Sequence, residues 1–215
     1  MLQVATNNSN IKASKEQNKK LKGNLGGSNM KLQLALDDIT LEDAVELLDK
    51  VHPYVDIIEV GSPFIIEEGM RPVRIFKEKY PDCEILADTK IMDAGEYEAE
   101  ETFKAGADYC TVLGVTDTLT IEGCVKAAKE YGKQTMVDMI CVEDVPKRVK
   151  EIEAVGVDFI GVHVGVDQQA AGGINLKTIE EYKKLNPEVI IVGGGINHAK
   201  DPVAAAKAIY EAINQ

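Results

Sequence analysis

The sequence predicts an α/β fold of the (β/α)8 barrel type with seven recognisable strands, preceded by a polar tail. Three observations predict it. From Lys31 onward, short apolar runs alternate with amphipathic stretches of about 10–15 residues, the signature of parallel strands joined by crossover helices. Gly106-Ala107-Asp108 and Gly156-Val157-Asp158 each precede such a run, so a glycine that ends a helix and turns the chain recurs. Nearly every run also ends in a polar residue or a glycine, as expected where strand ends converge on one mouth rather than along an open sheet.

Taken in order, residues 1–29 hold six Asn, five Lys and one Glu with little aliphatic periodicity. They read as a flexible tail of charge +4, closing in the linker-like Gly26-Gly27-Ser28-Asn29, and Met30 fits as a functional start. The catalytic domain then spans 30–215. Its strands are expected at Leu32–Leu36, Val55–Val60, Glu84–Asp88, Asp108–Leu113, Gln134–Met139, Asp158–Val164 and Val189–Gly193. Helices such as LEDAVELLDKV and PKRVKEIEAV repeat apolar residues every three or four positions.

Composition narrows the function. A chain of 215 residues with 45% apolar residues supports one core, and no run reaches the length of a membrane span. The net charge is −12, hence −16 outside the tail, which disfavours nucleic acid and anionic lipid as partners. Cys83, Cys110, Cys124 and Cys141 form no CxxC pair and read as buried free thiols; with no secretory signal, a cytoplasmic location is expected.

The strand ends carry the chemistry. They are Asp37, Glu59, Asp88 with Lys90, Asp138, His163 and the run Gly193-Gly194-Gly195. Asp88 and Lys90, two apart, share a strand face, and Asp93 can fold back toward the ammonium. A lysine held among carboxylates stays charged and can stabilise an oxyanion or move a proton. Glu59, inside the apolar run DIIEVG, needs a partner: either Lys90, or a divalent ion shared with Asp88, a hard-oxygen pair suited to Mg2+. His163 ends an aliphatic strand and is either a satisfied core residue or a proton carrier. The glycine run can cradle a phosphate with backbone N–H groups.

LQLALD, DIIEVGSPFIIEEG, ILADTKIMDAGEYEAE, AGADYCTVLGV, VDMI and GVHVGVDQQAAG together resemble the 3-hexulose-6-phosphate synthase family of the orotidine-phosphate-decarboxylase suprafamily. The resemblance implies Mg2+-dependent aldol addition of formaldehyde to D-ribulose 5-phosphate in a homodimeric enzyme. It implies Glu59 and Asp88 as metal ligands, and Asp37, Lys90 and Asp93 around the reacting carbons. His163 is implied as acid/base, and Gly173, Gly194 and Gly195 as part of the phosphate grip. The related 3-keto-L-gulonate-6-phosphate decarboxylase is the alternative, although the loop after His163 fits the synthase better. Against the family pattern, Gly172 runs straight into Gly173, as though about 25 residues, one βα unit, were missing. Open edges would follow, with the leader too polar to fill the gap, so a shortened, inactive sugar-phosphate binder is the other alternative.

Overall fold

The structure, a computed structural model, describes residues 3–7, 30–163 and 174–214. Its strands are β1 (Gln3–Asn7), β2 (Lys31–Leu36), β3 (Ile57–Val60), β4 (Glu84–Ile91), β5 (Tyr109–Leu113), β6 (Gln134–Asp138), β7 (Phe159–His163) and β8 (Val189–Val192). The helices are α1 (Leu41–Val51), α2 (Ser62–Glu68), α3 (Arg71–Lys79), α4 (Gly95–Lys104), α5 (Thr118–Tyr131), α6 (Val145–Val155), α7 (Ile179–Lys183), α8 (Gly194–Asn197) and α9 (Pro202–Ile213). Each of the seven expected strands forms within about two residues of its expected start. The third runs on to Ile91.

These seven strands, β2 to β8, are parallel and curl in the order β8-β2-β3-β4-β5-β6-β7. The eighth position is filled by β1, antiparallel to β7 on one side and to β8 on the other, which closes the barrel. This corrects the expectation that the leader is too polar to supply a strand. Closing a sheet consumes backbone N–H and C=O groups, which any sequence offers, and Val4 and Thr6 are β-branched. Residues 8–29, the rest of the expected tail, lie outside the described residues, as does the junction at Gly172-Gly173.

Period-two alternation sorts the strand residues between two environments. Ala35, Ile57, Leu86, Tyr109, Met136, Phe159, Val189 and Ile191 form the apolar cluster inside the barrel. Their neighbours, among them Leu34, Ile58, Ile85, Val112, Val137, Ile160 and Ile190, pack against the helices. This resolves the oddity of Glu59: it follows Ile58 and precedes Val60, both helix-facing, and so points inward. Side chains of Thr40, Asp117, Asp144 and Asp201 cap α1, α5, α6 and α9. Among the described residues no helix is long and apolar enough to cross a membrane. Cys83, Cys110 and Cys124 are buried as expected, but Cys141 is exposed in the loop after β6.

One tie recurs at the end where the strands begin. Asp56, Asp108 and Asp158 each precede a strand and accept the backbone N–H of Leu32, Ile85 and Thr135 on the preceding one, at 3.0, 2.9 and 2.9 Å. The turn glycines Gly106 and Gly156 take φ of 105° and 86°, freeing the chain to place Asp108 and Asp158 there. Asp108 also accepts Lys77 and Lys133, both at 2.7 Å. Burial pushes its carboxyl up, but the two ammoniums and the Ile85 N–H outweigh that and hold it below its ordinary 3.8. A group with a lowered folded value stabilises above the unfolded value and loses that contribution as pH falls through the folded one. Asp108→Asn should therefore lower stability by about 2 kcal/mol at neutral pH. Thermal melts of both proteins should converge as the pH drops below about 4.

Candidate active site

The polar residues cluster on top of the apolar plug, at the ends of β2 to β7. One cavity is lined by Gln33, Glu59, Asp88, Thr111, Asp138 and His163 over Leu86 and Met136. Glu59, Asp88, Asp138 and His163 are all at most 8% exposed.

Asp88 is held by several donors. Ser62 Oγ donates to its carboxylate at 3.0 Å and to its backbone carbonyl at 2.6 Å, and Thr111 Oγ1 donates to the carboxylate at 2.8 Å. The Lys90 ammonium pairs with the same carboxylate and lies 3.6 Å from Asp138 Oδ2. The two residues do share a face, but across a kink rather than a regular strand. The β4–β5 register shifts between Ala87 and Ile91, and Lys90 takes the left-handed φ of 48°. Such a backbone is strained by about 1–3 kcal/mol in a non-glycine residue. Here it is fastened by the Lys90 N–H donating to Thr111 Oγ1 at 2.8 Å. Burial pulls the Lys90 amine down, but Asp88, then Asp138 and Glu59, outweigh it and hold the ammonium above its ordinary range.

Glu59 finds Gln33 rather than Lys90 as its hydrogen-bond partner, Nε2 to Oε2 at 2.7 Å. Burial, then Asp88 and Asp37, push its carboxyl well above 4.5. Asp37 is raised by burial and then by Asp88, with Lys90 pulling the other way. Three carboxylates thus repel one another around the ammonium of Lys90. Among the described residues the basin is short of positive charge.

His163 Nδ1 lies 2.8 Å from Asp138 Oδ2. Because the carboxylate only accepts, Nδ1 carries the hydrogen, and in the neutral ring Nε2 keeps a lone pair. That Nε2 is buried with no hydrogen-bond partner among the described residues, as is Gln33 Oε1.

Glycines shape the rim. A Cβ on Gly61 would overlap Asp37 Oδ1 and lie 2.8 Å from Leu36 O, so glycine there lets Asp37 sit where it does. The run after β8 comes to the same mouth: a Cβ on Gly193 would be 4.0 Å from Asp37 Oδ2. Asn197 ties that turn to Ala35 O at 2.8 Å. A Cβ on Gly195 would lie 2.8 Å from Ile174 O, while Gly194 is exposed beside His198.

The structure thus brings Asp37, Glu59, Asp88, Lys90 and His163 to one basin with Gly194 and Gly195 at its rim. Asp93 stands apart. It is exposed, and its carboxylate accepts the Ala94 N–H at 2.8 Å, while Lys90 pairs with Asp88 and Asp138 instead. Gly173 and the loop after His163 lie outside the described residues. Sequence reasoning noted Asp138 as a strand end without giving it a role, and passed over Gln33, Gly61, Ser62 and Thr111. Gln33 carried the same signal as Glu59, a polar residue within an aliphatic strand.

An acid whose folded value is raised loses stability as pH climbs from its unfolded value. Without metal, Glu59→Gln should therefore melt higher than the parent at pH 7, since the amide can still accept Gln33. Melts in chelator should show the advantage vanishing near pH 4.5 and below.

The chain matches the profile of the orotidine 5'-phosphate decarboxylase / HUMPS family in two overlapping stretches, residues 30–172 and 135–209. It is 44% identical to the 3-hexulose-6-phosphate synthase of Bacillus subtilis, over 86% of this chain and 100% of the relative. That alignment runs over 209 positions, whereas 86% of 215 residues is about 185, so about two dozen positions of the relative have no counterpart here. The crystal structure of 3-hexulose-6-phosphate synthase from Salmonella typhimurium superposes with a TM-score of 0.83 at 50% identity, covering 86% of this chain and 98% of that one. A 3-keto-L-gulonate-6-phosphate decarboxylase from Vibrio cholerae shares the fold, at a TM-score of 0.67 and 24% identity over 86% and 98% of the two chains.

Proposed function

The chain belongs to the orotidine 5'-phosphate decarboxylase / HUMPS family, and on that footing we propose that it is an aldehyde-lyase. The proposed reaction is the Mg2+-dependent aldol addition of formaldehyde to D-ribulose 5-phosphate, giving D-arabino-hex-3-ulose 6-phosphate. The observation that carries it is His163. Its Nε2 is buried in the cavity that holds Glu59 and Asp88 with no partner among the described residues, while its other nitrogen is anchored on Asp138.

The donor set fits a divalent cation. Glu59 and Asp88 are hard-oxygen ligands in a basin short of positive charge, and they would hold Mg2+, leaving positions for water and substrate oxygens. When bound, the ion supplies Lewis-acid polarisation of the ketose carbonyl, making the neighbouring C1 proton acidic. His163 Nε2 takes that proton, and Asp138 fixes the tautomer and stabilises the imidazolium that forms. The C1 carbanion then attacks formaldehyde. The new alkoxide takes a proton from within the site, from the imidazolium or from Lys90, whose ammonium Asp88 and Asp138 hold in place. Asp37 faces the sugar hydroxyls, and the Gly194–Gly195 turn takes the phosphate, with Gly173 completing the grip.

The decarboxylase alternative draws on relatives at 23–24% identity. The shortened, inactive binder was argued from open barrel edges, which β1 covers. The reading extends to a cytoplasmic homodimer. Met92 and Val115, in the loops after β4 and β5, and Tyr97 and Leu119, in the first turns of α4 and α5, are 44–75% exposed and offer it an apolar face, which also brings Asp93 near the partner.

Formaldehyde loss in the presence of D-ribulose 5-phosphate and Mg2+ tests the assignment. Asp88→Ala should abolish turnover and the rise in melting temperature that Mg2+ gives the parent. His163→Asn should lower kcat by about 10²–10⁴ while keeping that Mg2+ effect. Parent-like turnover in either variant would refute the roles assigned.

A further inference from the structure

Seven parallel strands leave two unpaired edges, on β7 and on β8, and β1 pairs with both. Residues Gln3 to Asn7 run opposite His163 to Phe159, and Val4 and Ala5 lie opposite Ile190 and Val189. The relative has about two dozen residues that this chain lacks, and the family profile matches in two stretches rather than one. Strand direction fits the connection. Asn7 lies opposite Phe159, at the end where β2 also begins, and β8 alone separates β1 from β2. Two strand spacings are about 10 Å. The 23 residues from 8 to 30 reach that span many times over.

We infer that Gln3–Asn7 is the barrel's eighth stave, supplied antiparallel from ahead of β2 in place of a strand within the roughly two dozen residues that this chain lacks beside its relative. It acts on the site through position. His163 sits at the end of β7, whose backbone is paired by β6 on one side and β1 on the other. Without β1 the strand bearing the proposed base is a free edge. The structural part stands without the proposed activity; the claim that β1 positions the base rests on it.

Two full-length variants test the inference. In a Cys141→Ser background, Ala5→Cys with Gly161→Cys places two thiols at paired positions, and a Cβ on Gly161 meets nothing closer than 3.4 Å. Mild oxidation should join them within one chain, seen as faster migration on a non-reducing gel at any protein concentration. No bond, or a bond only between chains, overturns the inference. Ala5→Pro with Thr6→Pro removes N–H groups that point to opposite neighbours in the sheet. Hydrogen exchange should then quicken about ten-fold or more at Phe159–His163 relative to Glu84–Ala87, with kcat falling and KM changing little. Outright unfolding supports the stave provided that Ser14→Pro with Gln17→Pro, outside it, leaves the protein intact. Unchanged exchange in the Ala5/Thr6 variant overturns it. Quickened exchange with unchanged turnover overturns the positioning role alone.

Discussion

Everything at the mouth depends on keeping mutually repelling carboxylates close together out of water. Burial and then Asp88 raise the hold of both Asp37 and Glu59 on their protons, Asp37 adds to that at Glu59, and Lys90 is the ammonium set among them. Nothing in that basin is stable by itself. Its parts are held by uncharged donors, Gln33 on Glu59 and Ser62 and Thr111 on Asp88, each rooted in a different strand or the turn beyond it. A wall of rigid staves is what lets groups that would separate in solution remain within reach of one ion and one substrate.

The two ends of the barrel divide the labour. Where the strands begin, Asp108 is saturated: it meets two lysines and a backbone N–H, which hold its carboxyl below its ordinary range. Where they end, His163 Nε2 and Gln33 Oε1 have no partner among the described residues. Full pairing produces stability and no chemistry, while unmet pairing leaves room for a ligand. The same residue type serves both ends according to what surrounds it.

Much of this was legible in the sequence because barrel strands write themselves in apolar runs and period-two alternation. The seven parallel strands appear where those runs lie, and Asp37, Glu59, Asp88, Lys90 and His163 meet where converging strand ends should put them. Less legible was whatever depends on a partner far away in the chain. Asp138 gains its role from His163, 25 residues on, and Gly61 from Asp37. Asp93 was expected to fold back on Lys90, but its own loop takes its carboxylate. The leader misled for a different reason: five residues carry too little hydrophobic pattern to stand out, and what places them is a gap elsewhere in the wall.

The direction of that fifth-residue-long stave also decides what surrounds the entrance. Because β1 runs against its neighbours, Gln3 sits level with His163, so this stave enters the wall from the rim at which the proposed site opens. A fusion partner joined directly ahead of Gln3 would approach over the doorway, whereas one joined after α9 would leave from the outer layer, where α9 packs against α1 and β2. For this barrel, unlike one whose first strand runs inward from the far end, the choice of which terminus to decorate is a choice about access to the chemistry.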